Sequence, residues 1–479
     1  MKTVFELSVE GRSGSQQGKD EQIPHEFLPE QLTRSAPPDL PRLSELDVVR
    51  HFTRLSRQNF GVDSNFYPLG SCTMKYNPKF MEQIASLQGF TDLHPLLPQL
   101  RGAGLYTQGA LQVIYELEDL LCRITGMDAY TLQPMAGAHG ELTGAMLMAA
   151  YHNKRGNDKK TIIVPDSAHG TNPSSAAIAG FDVLTIRSRD GIIDPAALKE
   201  VLNPDVAGIM MTCPNTLGLF ETHLNEIVDL IHSVDGLLYY DGANLNAILG
   251  RMLPGQAGFD VVHLNLHKTF GTPHGSGGPG SGPVGVNKKL EPFLPISRVV
   301  RLEDGQFFLS YDYPDSIGYI APFYGNFGVM LKAYAYILRL GRDGLLRVSE
   351  NAVLSANYLR KRLEKYLDIP FNRLCMHEFV ASAARQAEKG VRAVDIAKAL
   401  LDKGHYAPTV YFPLIVRECL MIEPTETESK ETLDTFVDDL VEILMIAEKE
   451  PEAVKQAPLS TPVNRLDEVL AARSMRLCS

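Results

Sequence analysis

The sequence lacks the features that place a protein in or across a membrane or on nucleic acid. No apolar run approaches the roughly 18 residues that a membrane-spanning helix needs, and Glu6 lies where a signal peptide would require an apolar stretch. The 57 acidic and 46 basic residues are interspersed and give a net charge of −11, which argues against a nucleic-acid surface. We therefore expect a cytoplasmic protein that binds neither nucleic acid nor membrane.

Closely spaced cysteines are also missing. The six cysteines are scattered along the chain and include no C-x-x-C pair: Cys72, Cys122, Cys213, Cys375, Cys419 and Cys478. This spacing suggests neither a zinc site nor a disulfide scaffold, and a reducing compartment accounts for it most simply. We expect no metal site.

Short apolar segments alternate with helical ones through the middle of the chain. They read IIV, DVLTI, GIMMT, LLYY, DVVHL and PVGV, and this pattern is typical of a mainly parallel sheet covered on both faces. Beyond residue 298, amphipathic helices predominate and predict a smaller α+β domain. We expect an N-terminal arm, helix and loop over 1–104, a large domain over 105–298 and a small domain over 299–479.

A single lysine in a glycine-rich context is the most informative feature. Lys268 follows the apolar segment DVVHL, and six glycines lie between Gly271 and Gly282. A lysine that attacks an aldehyde needs a rigid, partly dehydrated position, which this arrangement supplies. A strand end entering a flexible linker is the alternative. On the first interpretation Lys268 is a Schiff-base lysine.

Asp241 strengthens that interpretation. It ends the apolar segment LLYY, 27 positions before Lys268, where doubly wound sheets place ligand-contacting groups. A buried carboxylate there can pair with the protonated ring nitrogen of pyridoxal phosphate (PLP). An Asp before a Gly is also a common turn former, but the combination with Lys268 favours a PLP site.

Two further segments fit a bound PLP. Gly137 to Gly140 precede a predicted helix over 141–152, where small residues and free N–H groups suit a phosphate. His169 follows the strand IIV in a loop, where a flat ring can stack on the cofactor. A plain helix-capping turn and a surface histidine are the alternatives.

The segment NFYPLGSCTMKYNP, residues 65–78, is too broken for a regular element and too apolar for a solvated linker. We expect Ser71, Cys72, Thr73 and Lys75 to form one wall of a channel to the cofactor, with a buried structural loop as the equal alternative. Residues 11–42 are predicted to be an extended arm. Glu423, Glu426 and Glu428 are expected to form a solvated helix-capping cluster.

These segments together resemble a known family. YPLGSCTMKYNP, LQPMAGAHGELTGA, DSAHGTNPSS, TCPNTLGLFE, DGANLNAI, LNLHKTFGTPHGSGGPGSGPVGV, MHEFV, PTVYFPLIV and EPTETESKETLD run from residue 67 to beyond 430. They are similar to the PLP-bearing half of the glycine cleavage system P-protein, glycine dehydrogenase (decarboxylating), in the form where that half is a separate subunit 2.

The resemblance implies a type I PLP-dependent transferase fold, similar to aspartate aminotransferase. It implies catalytic roles for Lys268, Asp241 and His169. It also implies a wider set of cofactor-binding residues: Ala136, Gly137, Ala138, Glu141, Ala243, His267 and Thr269. One departure is Tyr319, where relatives are expected to carry a basic residue, so the residues that bind the substrate carboxylate are not assigned.

The activity implied is PLP-dependent decarboxylation of glycine with transfer of the aminomethyl group to the lipoyl arm of the H-protein. The chain length corresponds to one half of the two-half P-protein. The implied partners are therefore a companion subunit 1, in an α2β2 heterotetramer, and the H-protein. Another type I PLP decarboxylase or aminotransferase that acts on a free amino acid, and a catalytically silent scaffold half, are the alternatives.

Overall fold

The computed structural model describes residues 2–12, 29–32, 34–36, 38–93, 97, 103–321 and 325–475. Most of the predicted arm over 11–42 lies outside these residues. The chain forms two compact units: residues up to 61 with 461–463, and the remainder. In the first unit, α1 (Glu45–Ser56) begins at Ser44, whose side chain accepts the Asp47 N–H in a capping box.

The second unit contains the other α-helices and all the strands of the described residues. Its helices are α2 (Phe80–Ala85), α3 (Gln88–Thr91), α4 (Gln108–Thr125), α5 (Gly137–Lys154), α6 (Thr171–Ile178), α7 (Pro195–Val201), α8 (Leu224–Ser233), α9 (Leu266–Thr269), α10 (Phe327–Leu363), α11 (Ala384–Glu388), α12 (Ala393–Asp402), α13 (Lys430–Lys449), α14 (Pro451–Gln456) and α15 (Glu468–Arg473). Its strands are β1 (Ala129–Thr131), β2 (Thr161–Pro165), β3 (Asp182–Ile186), β4 (Ser188–Arg189), β5 (Ile192–Ile193), β6 (Val206–Thr212), β7 (Leu237–Gly242), β8 (Val261–Leu264), β9 (Val284–Val286), β10 (Arg298–Arg301), β11 (Phe307–Ser310), β12 (Phe379–Ser382), β13 (Thr409–Val410) and β14 (Cys419–Ile422).

Seven strands form the large sheet, in the order β1-β9-β8-β7-β6-β2-β3. Strands β8, β7, β6, β2 and β3 are parallel, and β9 pairs antiparallel with both of its neighbours. The predicted mainly parallel sheet is therefore confirmed. The parallel arrangement brings the carboxyl ends of β6, β7 and β8 to one edge, and these ends position the site described below.

Both faces of this sheet are buried. Successive residues of β7 alternate between two hydrophobic clusters: Leu238 and Tyr240 join one, while Leu237 and Tyr239 join the other. Helices α4, α8 and α10 contribute to the first cluster, and α5 and α6 to the second. Because no face is exposed to water, the strands are continuously apolar rather than alternating.

A smaller sheet, β12-β14-β13, lies in the C-terminal part and is entirely antiparallel. Its strands pack with α12 and α13 around a separate hydrophobic cluster that includes Phe379, Leu420 and Phe436. The predicted smaller C-terminal α+β domain is confirmed. The residue boundaries that the sequence suggested, after 104 and 298, stay a prediction. No helix in the described part of the chain is both long and apolar enough to cross a bilayer.

Several local predictions need correction. The predicted helix over 141–152 begins at Gly137, because the small residues form its first turn. Lys268 lies in the short helix α9 rather than at the end of β8. By contrast, the amphipathic helices predicted beyond residue 298 are confirmed in α10, where a break at Gly341 separates two helical parts. Short antiparallel pairs such as β10 and β11 were missed, since strands of two to four residues give little periodic signal.

The break in α10 requires glycine at residue 341, where φ is 59° and ψ is −171°. This region is open almost only to glycine, so Gly341→Ala should lower the free energy of unfolding by about 1–3 kcal/mol. The matched control is Gly328→Ala in the same helix, where φ is not positive and an added Cβ meets nothing within 4 Å. That variant should unfold at the wild-type denaturant concentration or slightly above. If the two variants lowered the free energy of unfolding equally, residue 341 would not require glycine.

Candidate active site

A cavity of about 280 Å³ lies at the carboxyl ends of the parallel strands. It is just below the size range of typical small-molecule sites. Residues from four strand-end loops, from the start of α5 and from the smaller domain surround it: Ser71, Gly137, Ala138, Glu141, His169, Thr171, Thr212, Pro214, Thr216, Asp241, Ala243, Asn244, Asn265, His267, Lys268, His377 and Glu378. The structure therefore brings Lys268, Asp241 and His169 to one cavity.

The Lys268 amine is held by the backbone. Its Nζ donates a hydrogen bond of 2.8 Å to the carbonyl oxygen of Ser71, 197 residues away in the sequence. Ser71 has a positive φ of 66°, and its own N–H donates to Oε2 of Glu378 at 2.7 Å. The amine position thus depends on a strained turn that a carboxylate of the smaller domain fixes.

Asp241 and Glu141 share a buried, negatively charged region. Asp241 accepts hydrogen bonds from the Ala243 N–H and from the Asn172 side chain, each at 3.1 Å. Burial alone would raise the pKa of Asp241, but His263, these donors and Lys268 outweigh it and lower the pKa. Burial, and then the negative charge of Asp241, raise the pKa of Glu141 to about 8. At neutral pH one carboxylate, Asp241, carries the charge.

His263 lies beneath this pair. Its Nε2 is 3.6 Å from Asp241 Oδ1 and 3.8 Å from Glu141 Oε1, while its Nδ1 shares a hydrogen bond of 2.6 Å with the Tyr239 hydroxyl. Burial lowers the pKa of His263 to about 4, so the imidazole is neutral at physiological pH. This neutral ring adds a polar contact without cancelling the charge of Asp241.

The start of α5 forms a cradle of close backbone contacts. A Cβ added at Gly282 would lie 2.1 Å from the Ala136 carbonyl oxygen, and one at Gly140 would lie 2.6 Å from the Gly282 carbonyl oxygen. Only glycine permits this approach. Ala136 is the N-cap and makes no side-chain cap, so the first N–H groups of α5 are available to an anion.

Four other residues that the sequence analysis singled out differ in their position relative to the cavity. His267 and His169 line it, whereas Thr269 and Tyr319 do not. His267 lines the cavity, and its Nδ1 accepts the Ser281 N–H at 3.3 Å. His169 is exposed at the cavity wall, with its ring 5.7 Å from that of Phe412. Thr269 does not line the cavity; it is buried, and its hydroxyl accepts the Leu245 N–H at 2.9 Å. Tyr319 is half exposed and is not among the described residues that line the cavity.

Only part of the predicted channel loop reaches the cavity. Ser71 lines it. Thr73 and Lys75 are almost fully buried and bond to other protein groups. Burial raises the pKa of the half-buried Cys72 thiol to about 11, so this thiol is neutral at physiological pH.

The predicted solvated cluster of glutamates is wrong. Glu423 is completely buried and accepts the Thr73 N–H, the Thr73 hydroxyl and the Asn244 amide. The Glu426 side chain is 6% exposed and forms an ion pair with Lys75 at 2.7 Å. Burial raises the pKa of Glu428 to about 7. The segment therefore anchors the loop of residues 67–77 from the smaller domain.

Sequence reasoning missed several residues of the site, including Asn172, Asn244, His263 and Glu378. Asn172 and Asn244 lie within the quoted segments DSAHGTNPSS and DGANLNAI, and Glu378 lies within MHEFV. Their positions beside Asp241 and Ser71 come from contacts over 69 to 307 residues. No local pattern encodes such contacts.

Comparison with known proteins identifies the family. The family model described as "Glycine cleavage system P-protein" matches residues 13–305, and that described as "Glycine dehydrogenase, C-terminal domain" matches residues 348–468. A probable glycine dehydrogenase (decarboxylating) subunit 2 of Caldanaerobacter subterraneus is 58% identical, covering 98% of this chain and 97% of the relative. A protein of the same description from Listeria welshimeri is 56% identical over 99% and 97%.

The chain belongs to the glycine cleavage system P-protein family. Solved structures agree in fold with this assignment. An inhibitor-bound glycine decarboxylase (P-protein) superposes with a TM-score of 0.70 at 20% identity, covering 88% of this chain and 93% of the other. Lactobacillus brevis glutamate decarboxylase gives 0.66 at 13%, over 88% and 97%. The predicted type I PLP-dependent transferase fold, similar to aspartate aminotransferase, is confirmed.

The buried ion pair between Lys75 and Glu426 allows a test of how the loop of residues 67–77 is anchored. Lys75→Met would leave the Glu426 carboxylate buried without its cation, and should lower the free energy of unfolding by about 3–5 kcal/mol. Lys79→Met is the control, since the Lys79 and Asp63 side chains are 56% and 61% exposed; it should cost less than about 1 kcal/mol. Similar denaturation midpoints for the two variants would contradict a structural role of Lys75.

Proposed function

We propose that this chain is the PLP-bearing subunit that decarboxylates glycine in the glycine cleavage system. Its activity would be that of glycine dehydrogenase (aminomethyl-transferring), an oxidoreductase. The single observation that supports this most directly is the shared cavity of the Lys268 amine, the ionised Asp241 and the anion cradle of α5.

The residues present suit PLP. Among the described residues that line the cavity, five polar atoms are buried without a hydrogen-bond partner: Glu141 Oε2, Thr212 Oγ1, Asn265 Oδ1 and the two ring nitrogens of His377. Buried polar atoms of this kind normally have partners, so their presence here suits a polar ligand. The N–H groups of residues 137–139 suit its phosphate, and the glycines at 140 and 282 allow the close backbone approach. Asp241 suits its ring nitrogen.

Each protein group then has a defined task. PLP, when bound, supplies an electron-poor ring that accepts the electron pair released as CO2 departs. Asp241 favours the protonated ring nitrogen because it carries the negative charge of its region. The Ser71 carbonyl directs the Lys268 amine. His169 provides a flat ring at the exposed wall.

Glu141 limits the charge near Asp241. With a pKa of about 8, it is protonated at neutral pH, so a second negative charge is not forced into the same region. A protonated carboxyl group can also donate a hydrogen bond, which an ionised one cannot. Glu141 is therefore a positioning residue for the Asp241 carboxylate.

The proposed partners follow from the family. The relatives are described as subunit 2, which implies a subunit 1. We propose an α2β2 heterotetramer with that companion, the lipoyl arm of the H-protein as the acceptor of the aminomethyl group, and a cytoplasmic location. A silent scaffold half would not need Lys268, Asp241 and His169 in one cavity.

The first test is co-expression with the companion subunit, followed by borohydride reduction and peptide mapping. The label should appear on Lys268 and be absent from Lys268→Ala. Lys75, which lies in the neighbouring loop but is ion-paired with Glu426, serves as the internal control and should remain unlabelled. Label on a different lysine, or on none, would overturn the proposal.

A second test separates glycine cleavage from action on a free amino acid. Exchange of labelled CO2 with the glycine carboxyl group should require both the companion subunit and lipoyl H-protein. A decarboxylase or aminotransferase of the same fold would act on its substrate without H-protein. Full activity in the absence of H-protein would favour that alternative.

Asp241→Asn tests the ring-nitrogen partner. The amide keeps the shape but removes the charge, so the variant should retain the visible absorbance of bound PLP. Its turnover should fall at least about 10²-fold, since each pKa unit of lost stabilisation is worth about a factor of ten. Asp260→Asn is a useful control, because Asp260 is also buried but lies outside the cavity, paired with His232 and Lys289. Turnover measured with H-protein at its wild-type rate in Asp241→Asn would contradict the assignment.

A further inference from the structure

A second pair of buried carboxyl groups belongs to the smaller domain and is distinct from the pair formed by Asp241 of β7 and Glu141 of α5. Glu378 and Glu423 belong to the segment before β12 and the segment after β14, and their side chains are almost fully buried. Oxygen atoms of both, and a ring nitrogen of His377, lie within 4.8 Å of one another. Glu378 and His377 line the cavity, and Glu423 does not.

The two carboxyl groups have different hydrogen-bond partners. Glu423 accepts three hydrogen bonds, at 2.7 to 2.9 Å, from Thr73 and Asn244. Glu378 accepts one, from the Ser71 N–H through Oε2. Burial, and next the proximity of Glu423, raise the pKa of Glu378 well above its ordinary value. Glu378, which has the raised pKa and the fewer hydrogen bonds to its carboxyl group, is the member of the pair at the cavity wall.

The cluster of Glu378, Glu423 and His377 is a poor site for a metal ion, and a proton on one carboxyl group accounts for it better. Both oxygens of Glu423 and Oε2 of Glu378 are already used as acceptors. This leaves Oε1 of Glu378 and the His377 ring, whose two nitrogens are buried without a hydrogen-bond partner. Two remaining donors are fewer than the three protein ligands of a typical catalytic zinc site.

We propose that Glu378 is the general acid that protonates the leaving sulfur of the lipoyl disulfide. This inference rests on the proposed function. The electron pair left by the C–CO2 bond forms a C–S bond to one sulfur, and the S–S bond breaks. The second sulfur leaves with the electron pair of the S–S bond and takes the carboxyl proton of Glu378, giving a thiol. Glu378 is left as a carboxylate and regains a proton from solvent after the product leaves.

The placement of Glu378 suits this step. It contacts the turn at Ser71, whose carbonyl oxygen holds the Lys268 amine, so the acid and the amine flank the same cavity wall. General acids of this kind contribute about 10²–10⁴-fold to rates. His377 Nε2 is buried and lies 3.6 Å from Glu378 Oε1. A small movement of either side chain would bring the two atoms within hydrogen-bond distance.

The expected pH dependence of the transfer rate follows from the raised pKa of Glu378. Because the protonated form acts, the transfer rate should be highest at low pH and fall as the pH rises through the raised pKa of Glu378. The titratable groups that face Glu378 are His377, Glu423, Lys268 and the thiols of Cys72, Cys375 and Cys419. Burial raises the pKa of all three thiols to about 11 or 12, so they stay neutral over this range.

The experiment uses the assembled holoenzyme with companion subunit and lipoyl H-protein. In Glu378→Gln the amide oxygen can still accept the Ser71 N–H, but no proton can be donated. The glycine-induced change in the visible spectrum should be retained. The appearance of lipoyl thiol in a single turnover should slow by about 10²–10³-fold, and the fall in rate with rising pH should disappear.

Two further variants serve as comparisons. Glu423→Gln removes the neighbouring negative charge, so the falling limb of the pH profile should move to lower pH rather than disappear. Glu221→Gln changes a carboxyl group that is equally buried but lies outside the cavity, bonded to Ile193 and Asn215. Its transfer rate and pH profile should match those of the wild type.

Infrared spectroscopy provides a readout that does not depend on activity. The C=O band of a protonated carboxyl group should be present in the wild-type protein at neutral pH and lost specifically in Glu378→Gln. Absence of that band in the wild type, a wild-type transfer rate in Glu378→Gln, or an equal loss of the glycine response and of transfer would overturn the inference. A wild-type enzyme without any glycine response would instead contradict the proposed function.

Discussion

The active-site geometry depends on how one backbone turn is held. The carbonyl oxygen of Ser71 binds the Lys268 amine, and the N–H of the same residue binds Glu378. Ser71 and Thr73 both have positive φ values, and such backbone persists only when surrounding contacts fix it. Here the contacts come from buried glutamates of the smaller domain, so Lys268, in α9 just beyond β8, is oriented by residues of that domain.

The cost of burying charge explains why the pKa values of the acidic groups near the cavity are shifted in different directions. Asp241, at the end of β7, has enough donors to remain ionised, while Glu141 of α5 takes up a proton. In the smaller domain, Glu423 accepts three hydrogen bonds, whereas Glu378 accepts one, and burial together with Glu423 raises the pKa of Glu378. Two close carboxyl groups cannot both be charged in a poorly solvated site without a large cost. Asp241, Glu141 and Glu378 line the cavity, and Glu423 lies next to Glu378 without lining it.

Much of the fold and part of the site could be predicted from the sequence. The apolar segments around Tyr240 and Val262 predict parallel strands because a doubly covered sheet leaves no polar face. Asp241 and Lys268 stand out because Asp241 ends one such strand and Lys268 comes just after another. The short antiparallel strands and the start of α5 at Gly137 were missed or misplaced. The sequence patterns of these features are only a few residues long, so tertiary packing decides where the features form.

By itself, the sequence determined the strand pattern, the strand-end position of Asp241, the position of Lys268 just beyond a strand and the glycines that permit close backbone approach, because these features are local. Only the tertiary structure decided that Glu423 and Glu426 are buried anchors rather than solvated residues, and that Glu378 meets Ser71 across 307 positions. The physical reason is that the burial and protonation of a carboxyl group depend on neighbours brought together by folding. Sequence spacing does not record those neighbours.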